Sequence, residues 1–262
     1  MKKVFQGFVE RAVQQLSSDS RFCGLAVAGS WLSNEMDEFS DLDLVVVVND
    51  ADYPIGDRFE IVRKLGSHVS SFTGDHVGEP RMLICMFRDP LVHVDVKFVA
   101  LNDFRDRIEN PWIAWEVGGK LSKILRETSL HELKTDPQWL EDRIWTWVHY
   151  GAGKIARGEI FEAIGFLSFL REKVLGPLGL WVYEKPIRGV RRIEQYLPEF
   201  GQRLQRTIPS YSKESCFEAL RACIEIYRDL RLRYSAESFL ANEIAERESL
   251  AYLAKIDPEL KK

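Results

Sequence analysis

The stretch Cys23-Gly24-Leu25-Ala26-Val27-Ala28-Gly29-Ser30, followed after ten residues by Asp41-Leu42-Asp43-Leu44-Val45-Val46-Val47-Val48, decides how the rest of the chain is read. The apolar run from Phe22 to Ala28 stops at a Gly-Ser pair. The second run opens with two acids and continues as Leu44 to Val48, four of those five residues being β-branched. Length and β-branched content predict two buried strands. Alternate side chains of a strand share a face, so Asp41 and Asp43 point one way and Leu42 the other. Two carboxylates side by side at the mouth of a buried strand repel each other, and a divalent cation relieves that repulsion. Hard oxygen ligands suit Mg2+, which keeps several waters and completes its shell from carboxylates and substrate phosphates. At the Gly29-Ser30 turn, glycine lets the backbone come close to a phosphate, and the serine hydroxyl and local N–H groups can donate to it.

Gly29, Ser30, Asp41 and Asp43, with Ser40 before the acid pair, form a Gly-Ser, spacer, Asp-x-Asp signature. It resembles that of the nucleotidyltransferase superfamily, which includes polymerase beta. The glycine that many members carry a few residues after Gly-Ser is replaced here by Trp31-Leu32-Ser33-Asn34-Glu35. The family also uses a third carboxylate on a neighbouring strand. Val92-His93-Val94-Asp95-Val96-Lys97-Phe98-Val99 supplies one, because Asp95 alternates with Val94 and Val96 and so can face the pair across the sheet. The resemblance implies that Asp41, Asp43 and Asp95 hold two Mg2+ ions, about 4 Å apart as in other two-metal sites. Gly29 and Ser30 would hold the β and γ phosphates of ATP, and Asp95 is the first candidate for the base.

The chain is long enough for one large or two modest domains with a full core, and its hydrophobic and charged fractions are those of a globular protein. A net charge of −4 argues against a protein whose main task is gripping nucleic acid, which leaves a strongly basic footprint. It suits a cationic small substrate. Cys23, Cys85, Cys216 and Cys223 show neither a Cys-x-x-Cys pair nor zinc spacing, and read as reduced core residues of a cytoplasmic protein. No secretory signal pattern or membrane-spanning stretch is expected.

In chain order, residues Lys3 to Leu16 have the periodicity of an amphipathic helix. A turn cluster, Asn49-Asp50-Ala51-Asp52-Tyr53-Pro54, follows the second strand. Asp57 to Val69 reads as a helix and Ser70 to Pro80 as a polar loop. Arg81–Phe87 and Leu91–Leu101 read as a hairpin joined by Arg88-Asp89-Pro90. His93 reads as structural. Asp75, His76 and Glu79 lie in a loop that could reach the site, with Glu79 as a substrate contact or proton acceptor. A helix is expected over Asn102 to Ile108, irregular chain over Ile113 to Lys120, and a short strand over Ser122 to Arg126. The linker from Glu132 to Pro137 closes an α/β (α+β) domain with a mixed sheet over residues 1–132.

An all-α bundle is expected over residues 137–262, with helices at Trp139–Ala156, Phe161–Gly176, Arg188–Tyr196, Lys213–Tyr234 and Ala236–Ile256, and a break at Pro177 and Gly179. The segment from Trp147 to Ile164, which includes Tyr150, Lys154 and Arg157-Gly158-Glu159, resembles a two-helix segment of aminoglycoside 6-adenylyltransferases and the larger lincosamide nucleotidyltransferases. The resemblance implies that Lys154 binds nucleotide, and that the bundle forms the other wall of a cleft. The function it implies is transfer of AMP from ATP to a hydroxyl of a small molecule, an aminoglycoside or lincosamide antibiotic, with release of pyrophosphate. The alternatives are a nucleotidyltransferase acting on protein or RNA, for which Lys185, Arg188, Arg191 and Arg192 form a basic run, and a non-catalytic nucleotide-binding or toxin–antitoxin module.

Overall fold

A computed structural model describes residues 2–33, 36–49, 53–132, 135–233, 239–257 and 259. Asn34, Glu35, the turn residues Asp50, Ala51 and Asp52, the linker residues Leu133 and Lys134, Tyr234, and the expected start of the last helix at Ala236 lie outside these. The chain divides into two compact units, Met1–Glu132 and Leu133–Lys262. All four cysteines are buried and free. No helix among the described residues is long and apolar enough to cross a membrane.

The first unit is built on a six-stranded mixed sheet in the order β3-β4-β5-β2-β1-β6. The strands are β1 (Phe22–Ala28), β2 (Leu42–Val48), β3 (His68–Gly74), β4 (Glu79–Phe87), β5 (Val92–Ala100) and β6 (Trp112–Glu116). β2 and β5 pair in parallel, and every other pairing is antiparallel. The period of two gives the sheet two unlike faces. Leu42, Leu44, Val46 and Val48 of β2, Val94, Val96 and Phe98 of β5, and Leu83, Cys85 and Phe87 of β4 form one core. Helix α1 (Lys2–Ser17) covers that core with Phe5, Phe8, Val9, Ala12 and Leu16, spaced to lie on one helical face. Each large side chain so buried contributes about 1.5–3 kcal/mol. The opposite face carries its own buried apolar cluster toward the C-terminal ends of β2 and β5. There Val47, Val99, Cys23, Ala26 and Phe104 pack under Leu121 of helix α3 (Lys120–Glu127). Toward the start of the same two strands this face carries Asp43, His93 and Asp95 instead.

Several expected elements are corrected. Helix α2 spans only Ile55–Arg63, and the stretch expected to be a loop becomes the edge strand β3. An edge strand pairs on one side only, so Ser70, Ser71 and Thr73 can stay polar without breaking the sheet. The expected helix over Asn102–Ile108 is a single 3₁₀ turn, Asp103–Arg105. The expected irregular stretch is strand β6, and the expected strand is helix α3. Gly118 and Gly119, both at positive φ, make the sharp turn between them. Helix α3 then sits so close that a Cβ on Gly24 would lie 2.5 Å from Leu121.

The second unit is entirely helical among the described residues: α4 (Pro137–Arg157), α5 (Ile160–Leu170), α6 (Gly176–Val182), α7 (Ile193–Tyr196), α8 (Pro198–Gln205), α9 (Lys213–Arg231) and α10 (Glu243–Ile256). Asp136 caps α4 by accepting from the Trp139 N–H at 3.0 Å, with Pro137 in the first turn. Pro177 does not break the run as expected. It lies in the first turn of α6, where no N–H is required, and a π-turn over Arg171–Leu175 joins α5 to α6. The expected helix from Arg188 is only the short α7; Gly189 and Arg192, both at positive φ, keep the preceding basic run in turns. Helix α8 was not expected. A core that includes Ile144, Trp145, Leu167, Leu220 and Tyr227 joins the long helices.

Candidate metal and phosphate site

The parallel register of β2 and β5 sets Asp43 directly beside Asp95, and Asp41 lies two residues earlier on the same face. One carboxylate oxygen from each lies within 4.8 Å of those of the other two, and all three residues are half-buried. Three ionised groups so close repel by roughly 3 kcal/mol per pair at the effective dielectric of a protein surface. Burial raises the Asp95 carboxyl above its ordinary pKa; His93 pulls it back, and the charge of Asp41 adds to the rise. The Nε2 of His93 lies 2.8 Å from Asp95 Oδ1, and the side chain of Asp95 is 18% exposed. Three converging carboxylate oxygens are a donor set that fits a divalent cation such as Mg2+.

The Gly29-Ser30 turn lies against this cluster. Gly29 adopts φ +65°, and a Cβ built on it would fall 1.9 Å from Asp43 Oδ2. Glycine is therefore required twice, for the left-handed backbone and for the space Asp43 occupies. The Gly29 N–H donates to Glu109 Oε1 at 2.8 Å. Ser30 Oγ is buried with no hydrogen-bond partner among the described residues, a condition that costs about 1–3 kcal/mol for an unsatisfied hydroxyl. An incoming phosphate oxygen would supply that partner. Just before Asp41, Asp37 Oδ1 accepts from the Phe39 N–H and the Ser40 hydroxyl, each at 2.9 Å, and so shapes the chain that delivers the acids.

Further along the same sheet face, Lys97 Nζ lies 2.6 Å from Glu79 Oε2, and Arg81 Nε lies 2.8 Å from Glu79 Oε1. Glu79, expected in a loop as a substrate contact or proton acceptor, is instead the first residue of β4 and is committed to these two cations. The hydrogen bond from Arg81 holds its carboxyl down to about 2, with Lys97 acting in the same direction. Arg81 and Lys97 line a cavity of about 400 Å3 together with Ala28, Val45, Val99, Phe104 and Glu109. Asp75 bonds Thr73 and His76 lies against Phe72, and neither joins the acid cluster.

Lys154 belongs to the second unit. Its Nζ lies 2.6 Å from Glu159 Oε2 and 5.3 Å from the centre of the Tyr150 ring, whose hydroxyl donates to Glu162 at 2.7 Å. The charge of Lys154 is thus met by Glu159, which raises the lysine's pKa. The structure brings Gly29, Ser30, Asp41, Asp43 and Asp95 together. The sequence reading missed Glu109 and the cation pair Arg81–Lys97, and set His93 aside although it is bonded to Asp95. The position of Lys97 two residues after Asp95 was the available signal for that residue; Glu109, in an irregular loop, offered none.

Compared with models of protein families, the chain matches none, and no curated protein matches it.

Proposed function

We propose that this chain is a divalent-metal-dependent nucleotidyltransferase that moves AMP from ATP to a hydroxyl of a small molecule. The observation that carries the reading is the register of Asp43 with Asp95, which gathers three carboxylates beside a turn where only glycine fits. Asp41, Asp43 and Asp95 are the residues that would hold Mg2+. The cation, when bound, would neutralise phosphate charge and stabilise the entering and leaving oxygens of an in-line displacement.

The chain's own contribution is positioning, which carries most of the barrier reduction in phosphoryl-type transfer. The N–H of Gly29 and the hydroxyl of Ser30 would donate to phosphate oxygens and fix the direction in which pyrophosphate leaves. The acceptor oxygen bonds to the α-phosphorus as the bond from that phosphorus to the α,β-bridging oxygen breaks. The hydroxyl proton passes to a base, and Asp95 is the first candidate because a carboxylate of the metal cluster would sit beside the nucleophile. His93, bonded to Asp95 Oδ1, holds that carboxylate in place. An aminoglycoside or a lincosamide is the acceptor class to try first, and antibiotic inactivation would be the outcome.

The test is incubation with Mg2+, ATP and a panel of aminoglycosides and lincosamides, following pyrophosphate release, with Asp43→Asn as the control. Acceptor-dependent pyrophosphate that disappears in the variant is the expected result. Silence across the panel with Mg2+-dependent ATP binding intact would remove the antibiotic acceptors and move the search to protein and RNA. Absence of ATP binding altogether would sink the reading.

A further inference from the structure

The Gly29 N–H, a donor assigned to phosphate in the reading above, already has an acceptor in Glu109 Oε1 at 2.8 Å. A carboxylate oxygen and a phosphate oxygen cannot both take one N–H at good hydrogen-bond geometry, so the two must compete for it. The loop that delivers Glu109 is anchored on both sides. Two residues earlier, the guanidinium of Arg107 donates to the Thr128 carbonyl at 2.8 Å and hydroxyl at 2.6 Å, and to the Leu125 carbonyl at 3.2 Å. Its Nε donates to Asn110 Oδ1 at 2.9 Å, and its own carbonyl accepts from the His131 N–H at 2.7 Å. With the backbone held, it is the side chain of the half-buried Glu109 that must move if Gly29 is to take another acceptor. The cavity of about 400 Å3 that it lines gives the carboxylate room to move into; Arg81 and Lys97 on its wall are already paired with Glu79, and Asp103 and Asp106 line it too. Next to Gly29 in the chain, the buried Ser30 hydroxyl is a second donor, with no partner among the described residues.

We infer that Glu109 is an internal competitor at this turn, holding the Gly29 N–H until a phosphate oxygen displaces it. Every ligand that takes this N–H must first displace the carboxylate, so its apparent affinity is lowered by the same factor whether it carries one phosphate or three. The inference rests on the proposed reading of the turn as a phosphate site.

The test is calorimetric titration of the full chain, in Mg2+, with ATP, inorganic tripolyphosphate and orthophosphate, comparing the wild type with Glu109→Gln and Glu109→Ala. Melting curves establish that each variant is folded. Removing the competing charge should tighten ATP and tripolyphosphate about tenfold in both variants. Orthophosphate, where it takes the same N–H, should gain by the same factor. Unchanged or weaker binding in folded variants would overturn the inference, and Glu109 would then only buttress the turn. If no phosphate compound binds any of the three proteins while Mn2+ still binds the acid cluster, the phosphate reading of the turn fails and the inference with it.

Discussion

Glu141 in the second unit and the Asp41–Asp43–Asp95 cluster in the first are both carboxylate sites withdrawn from water, and their surroundings differ in kind. Glu141 is fully buried. It accepts from Trp145 Nε1 at 3.0 Å, the Tyr227 hydroxyl at 2.5 Å, the Asn242 N–H at 2.9 Å and Arg231 Nη1 at 3.1 Å. These donors come from α4, α9 and the N-cap of α10, so one charge ties three helices together. In the acid cluster, Asp95 receives His93 and otherwise faces two more carboxylates. A buried charge satisfied from within the chain builds the fold. Carboxylates turned toward one another lower the stability of the fold, and their arrangement makes sense with a positive ligand from outside.

The largest expected effect tests the second half of that contrast. Asp41→Asn should lower acceptor-dependent pyrophosphate release by at least about a thousandfold, roughly 4 kcal/mol of transition-state stabilisation. Its melting temperature in metal-free buffer should equal or exceed that of the wild type, because one repelling charge is gone. Next comes the first half. Glu141→Ala should cost about 3–4 kcal/mol of unfolding free energy, read from denaturant titration, since Arg231 loses a buried partner.

A smaller effect comes from the ion-paired Glu79. Its folded pKa, about 2, lies below the ordinary 4.5. Its stabilisation is therefore complete above pH 4.5 and is lost as pH falls toward 2, on the order of 2 kcal/mol after solvent screening. Acid unfolding curves should show this dependence, and Glu79→Gln should flatten it. The smallest effect separates binding from stability at one hydroxyl. Ser30→Ala removes an unsatisfied buried group, so stability should hold or rise by about 1 kcal/mol while ATP affinity, read by calorimetry, falls.

The sequence made the acid cluster legible because period-2 alternation is strict where one face is buried. Leu42, Leu44, Val94 and Val96 had to face the α1 core, so Asp43 and Asp95 had to face the other way. Gly29 was legible as a turn, but its second constraint, the space taken by Asp43, exists only once β1 and β2 are paired. Edge strands were the weakest point. β3 is polar because its outer edge is unpaired, and β6 joins the sheet through its pairing with β1 rather than through any local signal. Pro177 misled because a proline that ends one helix and a proline that starts the next look alike in sequence. Glu109 was invisible for a plainer reason. Its contact with Gly29 spans 80 residues, and no local pattern encodes it.

The most direct measurement is the melting temperature of the wild type and Asp41→Asn as Mn2+ is titrated in without nucleotide. The account predicts a saturable rise for the wild type and little or none for the variant, whose metal-free melting temperature starts level with or above the wild type. Equal responses in the two proteins, or a metal-free variant that melts well below the wild type, would contradict it.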